Sequence, residues 1–351
     1  MKIPNLLDTL KYLSESIFFT QKKIAQFIKP HFRIAYFFLI GISLSNCSSS
    51  DPNTVTSTFQ YIAIQSTNAN TPAGDCNIWN LKVEPVAMSL PIPVRTDSFA
   101  PHLLTNQVMS SQNSTYNKTA GIYLISTNQY VGKYYIKTSA ATITSSAPTI
   151  YTISGVQAME FVGSRLFFII NNYLTEYDVN SMTPITSFTP IHVGSANTTG
   201  YISNMTSLSG KLYFIVGGAL KSLDTTIPNP SLNIINSNLP VNTSGTFMYN
   251  GLEVFDSSTF YAIKNQAAGS ELIKITPSTT SVATSNININ GERMSSAYDY
   301  TTEFYYLTTY NRNGDQTNIL AFDLTPLNNN PIIINTNSTV TSYIFGLQLK
   351  E

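Results

Sequence analysis

The chain has 351 residues with 19 basic and 19 acidic side chains, and only 11% of its residues are charged. Six of the basic residues precede Cys47, so the sequence from Ser48 onward holds 13 Lys and Arg against 17 Asp and Glu, a net charge of −4. Nucleic-acid binding requires clustered Lys or Arg, and no such cluster is present, so nucleic acid is excluded as a partner. Abundant Ser, Thr, Asn, Tyr and Phe are typical of a β-rich protein outside the cytoplasm.

The N-terminal segment has the layout of a secretory signal. Residues 34–44 form an uncharged apolar run of 11 residues, preceded by basic side chains at Lys29 and Arg33. This run is too short to span a bilayer, which needs about twenty apolar residues. Residues 1–30 are overlong for a basic leader segment and have an amphipathic helical spacing. They are either an overextended gene start or an unusual leader.

The sequence Leu-Ser-Asn-Cys at 44–47, followed by three serines, resembles the signal of a bacterial lipoprotein. Asn46 stands where enteric bacteria usually have Gly or Ala, and with this residue the signal is similar to the looser lipoprotein signals of spirochaetes. The resemblance implies that the thiol of Cys47 is lipidated and that several acyl chains anchor the protein stably, at about 0.8 kcal/mol per buried CH₂. The competing interpretation is an ordinary cleaved signal peptide with an unmodified Cys47.

This signal predicts the domain organisation and the address of the protein. Residues 1–47 are predicted to be the leader, 48–57 a flexible tether, and 58–351 the folded domain. By the same resemblance, the protein is expected in the cell envelope, attached to the outer membrane or the cell surface through its lipid.

A repeated hairpin organises the folded domain. Residues 165–178 and 211–224 share an apolar run, a turn of Asn-Asn or Gly-Gly, and a second apolar run that ends in Asp, which is typical of a β-hairpin. Looser copies lie at 120–137, 258–276 and 302–323. The first apolar residues of the five units are 44, 46, 48 and 44 residues apart, the period of a β-propeller blade. These residues are Ile122, Leu166, Leu212, Phe260 and Phe304.

The leading strand of each hairpin is apolar on both faces, so we expect each sheet to be covered on both sides by neighbouring blades. A shorter stretch before each hairpin is the candidate innermost strand. The final segment, 341–349, has no hairpin after it, and its Gly-Leu-Gln-Leu is similar to Gly-Leu-Glu-Val at 251–254. It is therefore predicted to pair with the first hairpin, 59–81, and to close the ring.

The predicted fold is an all-β, six-bladed propeller closed by the C-terminal strand on the N-terminal blade. Seven blades is the alternative if 97–114 contains a degenerate blade. A β-sandwich or β-solenoid made from the same strands is the competing architecture.

The Leu-Tyr-Phe-Ile and Leu-x-x-Leu-Asp pattern, clearest at 211–224, resembles six-bladed propellers of the low-density-lipoprotein-receptor-like class and related bacterial domains of unknown function. The likeness covers 121–323 and concerns structure rather than catalysis. The Tyr-Trp-Thr-Asp signature of the receptor branch and the Asp-boxes of sialidases are both absent.

Lactonase-like propellers hold a divalent cation in the central channel, and the candidate innermost strands carry oxygen ligands of the type that hard cations take. These candidates are Glu160, Asn204, Asn250, Glu253 and Asp299. Counted back from the hairpin start they do not share a position, so the prediction is that no metal, cofactor or catalytic residue is present. His102 and His192 are not accompanied by a Gly-x-Ser-x-Gly elbow, the motif that would hold a serine nucleophile. Cys76 is predicted to be a small apolar side chain.

Three functions are compatible with the sequence. The first is a lipid-anchored envelope protein that binds or scaffolds an unknown protein or glycan and is not an enzyme. The second is a propeller hydrolase or lactonase with a divalent-metal site in the central channel. The third is a purely structural envelope protein, which only the finding of a partner would distinguish from the first. The loop at 311–315 loosely resembles a calcium loop but lacks its terminal Glu, so a hairpin turn is predicted there.

Overall fold

The structure is a computed structural model, and all described residues belong to the compact unit Ser57–Glu351. The described residues are 60–66, 77–82, 94–97, 109–127, 129–138, 143–145, 149–194, 202–240, 249–266, 269–287, 295–300, 303–311, 316–324, 332–334 and 343–349. Within these ranges the strands form five four-stranded sheets and one five-stranded sheet.

The first sheet joins strands from the two ends of the domain, and the second is built from residues 109–152. The first sheet has the order β25-β1-β2-β3, with the strands β1 Gln60–Ser66, β2 Asn77–Lys82, β3 Val94–Asp97 and β25 Tyr343–Leu349. The second is the five-stranded sheet β4-β5-β6-β7, in which β8 also pairs with β6. Its strands are β4 Met109–Asn117, β5 Ile122–Thr127, β6 Tyr130–Thr138, β7 Ile143–Ser145 and β8 Thr149–Thr152.

The remaining four sheets each follow the chain from an inner strand to an outer one. The third contains β9 Val156–Val162, β10 Arg165–Ile170, β11 Tyr173–Tyr177 and β12 Ile191–His192. The fourth contains β13 Thr206–Leu208, β14 Lys211–Val216, β15 Ala219–Asp224 and β16 Leu232–Asn236. The fifth contains β17 Tyr249–Asp256, β18 Thr259–Gln266, β19 Gly269–Ile275 and β20 Thr280–Ile287. The sixth contains β21 Ser295–Asp299, β22 Phe304–Asn311, β23 Gln316–Asp323 and β24 Ile332–Ile334.

The predicted hairpins are confirmed, and their turn residues explain why. Asn171 and Asn172 have φ of 52° and 65°, and Gly217 and Gly218 have φ of 58° and 72°. Two successive residues with positive φ form the tight turn whose twist matches that of paired strands. Asn and Gly adopt this conformation at low cost, so the same two positions in both units produce the same hairpin.

Neighbouring sheets cover each other, as the apolar leading strands predicted. Among the residues that the structure describes, four apolar clusters each join two adjacent sheets. Phe167 packs with Phe214 between the third and fourth sheets, and Tyr213 packs with Phe260 between the fourth and fifth. All of β14 from Leu212 to Val216 is buried. Stability therefore comes from stacking sheets side by side rather than from any single sheet.

The fold is an all-β propeller, not a β-sandwich or β-solenoid. The predicted closure is present: β25 pairs with β1, with Gln348 opposite Ile62 and Leu349 opposite Tyr61. Five sheets have the regular four-stranded blade form. The blade count of six, alternatively seven, stays a prediction, because the five-stranded sheet departs from this form. In the stretch proposed for a seventh blade, Asp97 ends β3 and Met109 begins β4.

Among the described residues, no helix is long and apolar enough to cross a membrane. The predicted lipidation site Cys47, the leader 1–47 and the tether 48–57 lie outside the described residues. The same holds for Cys76, His102 and most of the loop 311–315.

Candidate functional site: a polar cavity among the first strands

A polar cavity of about 180 Å³ lies where the first strands of the six sheets meet. The first strand of a sheet is the strand at its inner edge, namely β4, β9, β13, β17, β21 and, for the first sheet, β25. Each of these strands contacts the next around a closed circuit. Every one of them contributes to the wall. The lining side chains used below are Ser114, Tyr116, Lys118, Glu160, Asn204, Ser207, Glu253, Ser296, Tyr298, Tyr300 and Gln348.

Glu160 on β9 is held in the wall by hydroxyl groups from the strands on both sides. Ser207 Oγ donates to Glu160 Oε1 at 2.9 Å, and Thr115 Oγ1 donates to Oε2 at 3.0 Å. Burial raises the pKa of Glu160 from 4.5 to about 8, and the charge of Glu253 adds to this rise, whereas the two hydroxyls oppose it. A buried carboxylate loses hydration that two neutral donors only partly replace.

Glu253 on β17 has a similar environment. It is half-buried like Glu160, and Ser296 Oγ donates to its Oε1 at 2.5 Å. Burial raises the pKa of Glu253 from 4.5 to about 7. The charge of Glu253 makes the smallest contribution to the pKa of Glu160, and both carboxyl groups line the same cavity.

Gln348 on β25 is the amide counterpart of these acids. Its Nε2 donates to Oγ and to the carbonyl oxygen of Ser114, both at 3.1 Å. The residues Glu160, Glu253 and Gln348 thus lie on alternate first strands, 93 and 95 residues apart in the chain. In each case a serine on the following first strand bonds to the long side chain.

Glu253 and Gln348 each follow the same kind of backbone irregularity, a register shift at a glycine. In β17 the register shifts between Asn250 and Glu253, and in β25 it shifts across Gly346. Gly251 and Gly346 have φ of 61° and 65°. The Tyr305 hydroxyl donates to the Gly251 carbonyl at 2.6 Å. A glycine bulge therefore turns the second residue after the glycine, Glu253 or Gln348, toward the cavity.

The second bulge is closed by an equivalent tyrosine. The Tyr123 hydroxyl donates to the Gly346 carbonyl at 2.7 Å. A Cβ atom at Gly251 would overlap the hydroxyl of Tyr305, and a Cβ atom at Gly346 would overlap that of Tyr123. Only glycine leaves room for the approach, so the tyrosine of the neighbouring sheet and the glycine of the bulge form one structural unit.

Glu160 and Glu253 share a position in the strand ladder, although they lie at different distances from the hairpin start along the sequence. Glu160 lies opposite Phe167 and Glu253 lies opposite Tyr261, and these partners are the second residues of equivalent apolar runs. A second register shift in β17, between Val254 and Asp256, adds one residue before the hairpin. Counting along the sequence therefore misaligned two side chains that the ladder places at the same level.

The other predicted oxygen ligands have structural roles or lie outside the cavity wall. Asn204 lines the cavity, but its Nδ2 donates to the Leu252 carbonyl at 2.9 Å and its Oδ1 accepts from the Leu252 N–H at 2.7 Å. Asn250 and Asp299 are buried and are not part of the lining. In the part of the chain that the structure describes, no three His, Cys, Asp or Glu side chains are grouped as for a metal ion.

Aromatic side chains line the same cavity, a feature that sequence reasoning missed. Tyr298 and Tyr300 stack edge to face with ring centroids 4.8 Å apart, and the Tyr300 side chain remains 50% exposed. Burial and the charges of Glu253 and Glu160 raise the pKa of Tyr300.

His192, by contrast, lies on the outer strand β12, with its ring 5.1 Å from that of Tyr173.

The comparisons with known proteins support the fold and nothing finer. The sequence matches no protein-family model and no curated protein. TolB from Acinetobacter baumannii is similar in structure, with a TM-score of 0.54 at 10% identity over 84% of this chain and 67% of that one. A putative 6-phosphogluconolactonase from Bacteroides uniformis has a TM-score of 0.49 at 11% identity, over 80% and 83% of the two chains. The fold and the site thus define an all-β propeller with a carboxylate-bearing central cavity.

Proposed function

We propose that this protein is a lipid-anchored binding protein of the bacterial cell envelope, with its ligand site in the central cavity of a six-bladed propeller. The observation that carries the binding role is the cavity itself, to which all six first strands contribute polar side chains. Concave sites where several elements converge, with a few placed polar groups, are where proteins of known function bind their ligands. The ligand is a protein or glycan group small enough to enter.

The closed circuit of first strands supports the count of six blades. Each first strand contacts the next, and the last, β25, contacts β4. The five-stranded sheet follows this order between its neighbours, because β4 contacts both β25 and β9. In this proposal it is a sixth blade whose outer part is split between β7 and β8.

The lipid anchor and the envelope location rest on the sequence. An apolar run at 34–44 ends at Leu-Ser-Asn-Cys, and a polar stretch of Ser, Asp, Pro and Asn follows Cys47. A lipid on Cys47 and a tether at 48–57 hold the propeller at a membrane surface, at the outer membrane or the cell surface. The propeller then scaffolds its partner at that surface.

A hydrolase or lactonase with a channel metal is less well supported by the lining. Three of its five candidate ligands line the cavity, namely Glu160, Asn204 and Glu253. Both polar atoms of the Asn204 amide, however, are engaged by the backbone of Leu252. This amide stabilises the contact between neighbouring sheets. Two carboxylates, with at most four oxygens, then remain of the five candidates, whereas a calcium ion takes six to eight oxygen ligands.

Site-specific photo-crosslinking in the native envelope tests the binding role. The photoreactive residue p-benzoylphenylalanine is placed at Tyr300 in the cavity, or at Tyr173 on an outer hairpin as the matched control. The two side chains are similarly exposed, at 50% and 47%. We expect a discrete cross-linked protein or glycan from position 300 and not from position 173. Equal products at both positions, or none at 300, would contradict a ligand site in the cavity.

Changing the lipidation site tests the anchor. In the lipoprotein proposal, Cys47→Ser removes the thiol that carries the diacylglycerol. We expect the wild-type protein to incorporate a labelled fatty acid and to stay in the membrane fraction after a carbonate wash, whereas Cys47→Ser does neither. Equal fatty-acid labelling of both proteins would show that Cys47 is not the lipidated residue.

A further inference from the structure

We propose that the cavity binds a protonated primary amine, with the ammonium group between Glu160 and Glu253 and the carbon chain against Tyr298 and Tyr300. This inference rests on the proposed function and names its ligand class. The amine is either a small free molecule or the side chain of a lysine on a partner protein. Both present the same ammonium group.

The cavity offers hydrogen-bond acceptors rather than donors at its acidic wall. The hydroxyls of Thr115, Ser207 and Ser296 all donate to the two glutamates, so these donors are already used. Each carboxylate oxygen keeps a further acceptor direction. An ammonium group brings three N–H donors and a positive charge, which match these acceptors and the negative charge that the two carboxyl groups carry once they lose their protons.

The size and the walls of the cavity favour an organic cation with a short carbon chain. Pockets for drug-sized ligands measure about 300–1,000 Å³, and this cavity is smaller, at about 180 Å³. It suits one side chain or a molecule of similar size rather than an oligosaccharide. The rings of Tyr298 and Tyr300 line the same space, and aromatic faces attract both alkyl chains and ammonium groups.

A hard metal ion fits this lining less well than an amine. Beyond the two glutamates, the Asn204 amide is bonded to the Leu252 backbone, and Gln348 offers a metal only its amide oxygen, because its nitrogen donates to Ser114. An ammonium group requires only a few acceptors in no fixed polyhedron, and two carboxylates supply them.

Binding of the amine is coupled to proton release. The titratable side chains around the cavity are Glu160 on β9, Glu253 on β17, Tyr116 and Lys118 at the end of β4, and Tyr298 and Tyr300 on or after β21. The lining residues of β13 and β25 are not titratable. Because burial raises the pKa of Glu160 to about 8 and that of Glu253 to about 7, the empty site holds protons at neutral pH. An incoming cation expels them.

Titration calorimetry with n-propylammonium and with Nα-acetyl-lysine-methylamide tests the proposal and separates the two sources. We expect both probes to bind and n-propanol not to bind. The affinity of the amines should rise between about pH 6 and pH 9, with proton release at pH 7 that disappears above the two pKa values. Tighter binding of the lysine probe identifies a partner's lysine as the natural source, and tighter binding of propylammonium a free amine.

The matched variants are Glu160→Gln, Glu253→Gln and, as a control, Glu271→Gln. Glu271 belongs to the same sheet as Glu253 but pairs with Lys264 outside the cavity. We expect each cavity variant to weaken amine binding roughly tenfold or more, because a half-buried charge partner is lost, and the control to bind normally. Glutamine matches a protonated glutamate in shape, so melting curves should confirm that the cavity variants remain folded.

The possible failures are distinguishable. Binding of calcium without binding of either amine would overturn the ligand class in favour of a metal site. Amine affinity that is unchanged in Glu160→Gln and Glu253→Gln would overturn the location. If no probe binds but position 300 still cross-links a partner, this inference fails while the binding function stands.

Discussion

Replacing Gly251 with alanine is expected to destabilise the folded protein by about 3 kcal/mol, measured by urea denaturation. Two effects add. Gly251 has φ of 61°, in the left-handed region, where a residue with a Cβ atom is strained by about 1 kcal/mol or more. The new Cβ would also overlap the hydroxyl of Tyr305 and contact Ser296, in a core too well packed to yield without cost.

Gly163 provides a matched control for the first of these effects. It has nearly the same φ, 60°, but no atom lies within 4 Å of a Cβ built there. Gly163→Ala is therefore expected to cost about 1 kcal/mol, from backbone strain alone. Equal losses in Gly163→Ala and Gly251→Ala would show that the close approach of Tyr305 carries no energy.

A double-mutant cycle isolates the contact between the bulge and the tyrosine. Tyr305→Phe removes the hydroxyl that Gly251 accommodates, at the expense of its hydrogen bond to the Gly251 carbonyl. We expect Gly251→Ala to cost less in the Tyr305→Phe background than in the wild-type protein, by about 1 kcal/mol. Additive effects would mean that glycine is required at this bulge only for its backbone conformation.

The stability of the protein is expected to fall by several kcal/mol as the pH rises from about 4.5 to about 8. The folded state raises the pKa of Glu160 and Glu253 above the usual 4.5, so in this interval it binds more protons than the unfolded chain. The stabilisation is complete below the unfolded pKa of these groups and is lost as the pH passes through their folded values. Above about pH 8 the profile should level off.

Urea denaturation of the wild-type protein and of Glu160→Gln/Glu253→Gln between pH 5 and pH 9 checks this dependence. The double variant carries no titrating group at either position, so its stability should be nearly constant in this range. The lowered pKa values of Asp178, Asp224 and Asp256 act below about pH 4, with the opposite sign, and leave the interval clear. A wild-type profile that is flat, or that rises with pH, would contradict the raised values.

The repeated hairpins were predictable from the sequence because their determinants are local. The Asn-Asn and Gly-Gly turns and the doubly apolar strands at 165–178 and 211–224 specify both the hairpin and the need for a covering neighbour. The likeness of Gly-Leu-Gln-Leu at 346–349 to Gly-Leu-Glu-Val at 251–254 was sufficient to predict that β25 is an innermost strand. Its pairing with β1 then followed from ring closure.

The candidate site was predicted only as a set of residue types. The sequence predicts Glu160, Asn204 and Glu253 as candidate oxygen ligands, but it equally predicts Asn250 and Asp299, which do not line the cavity. It does not single out Gln348 or Tyr300, which do line it. Amphipathic patterns distinguish the faces of a strand, but they do not reveal which faces of six separate strands converge.

The hairpins and their apolar faces follow from adjacent residues, and the period and the closing strand follow from comparing repeats along the chain. That Glu160 and Glu253 lie at one level of one cavity is a property of the folded chain. A register shift in β17 inserts one residue between Glu253 and its hairpin, so separation along the chain does not equal position in the ladder. The carboxyl groups acquire their raised pKa values only when the surrounding strands replace water with hydroxyls and tyrosine rings.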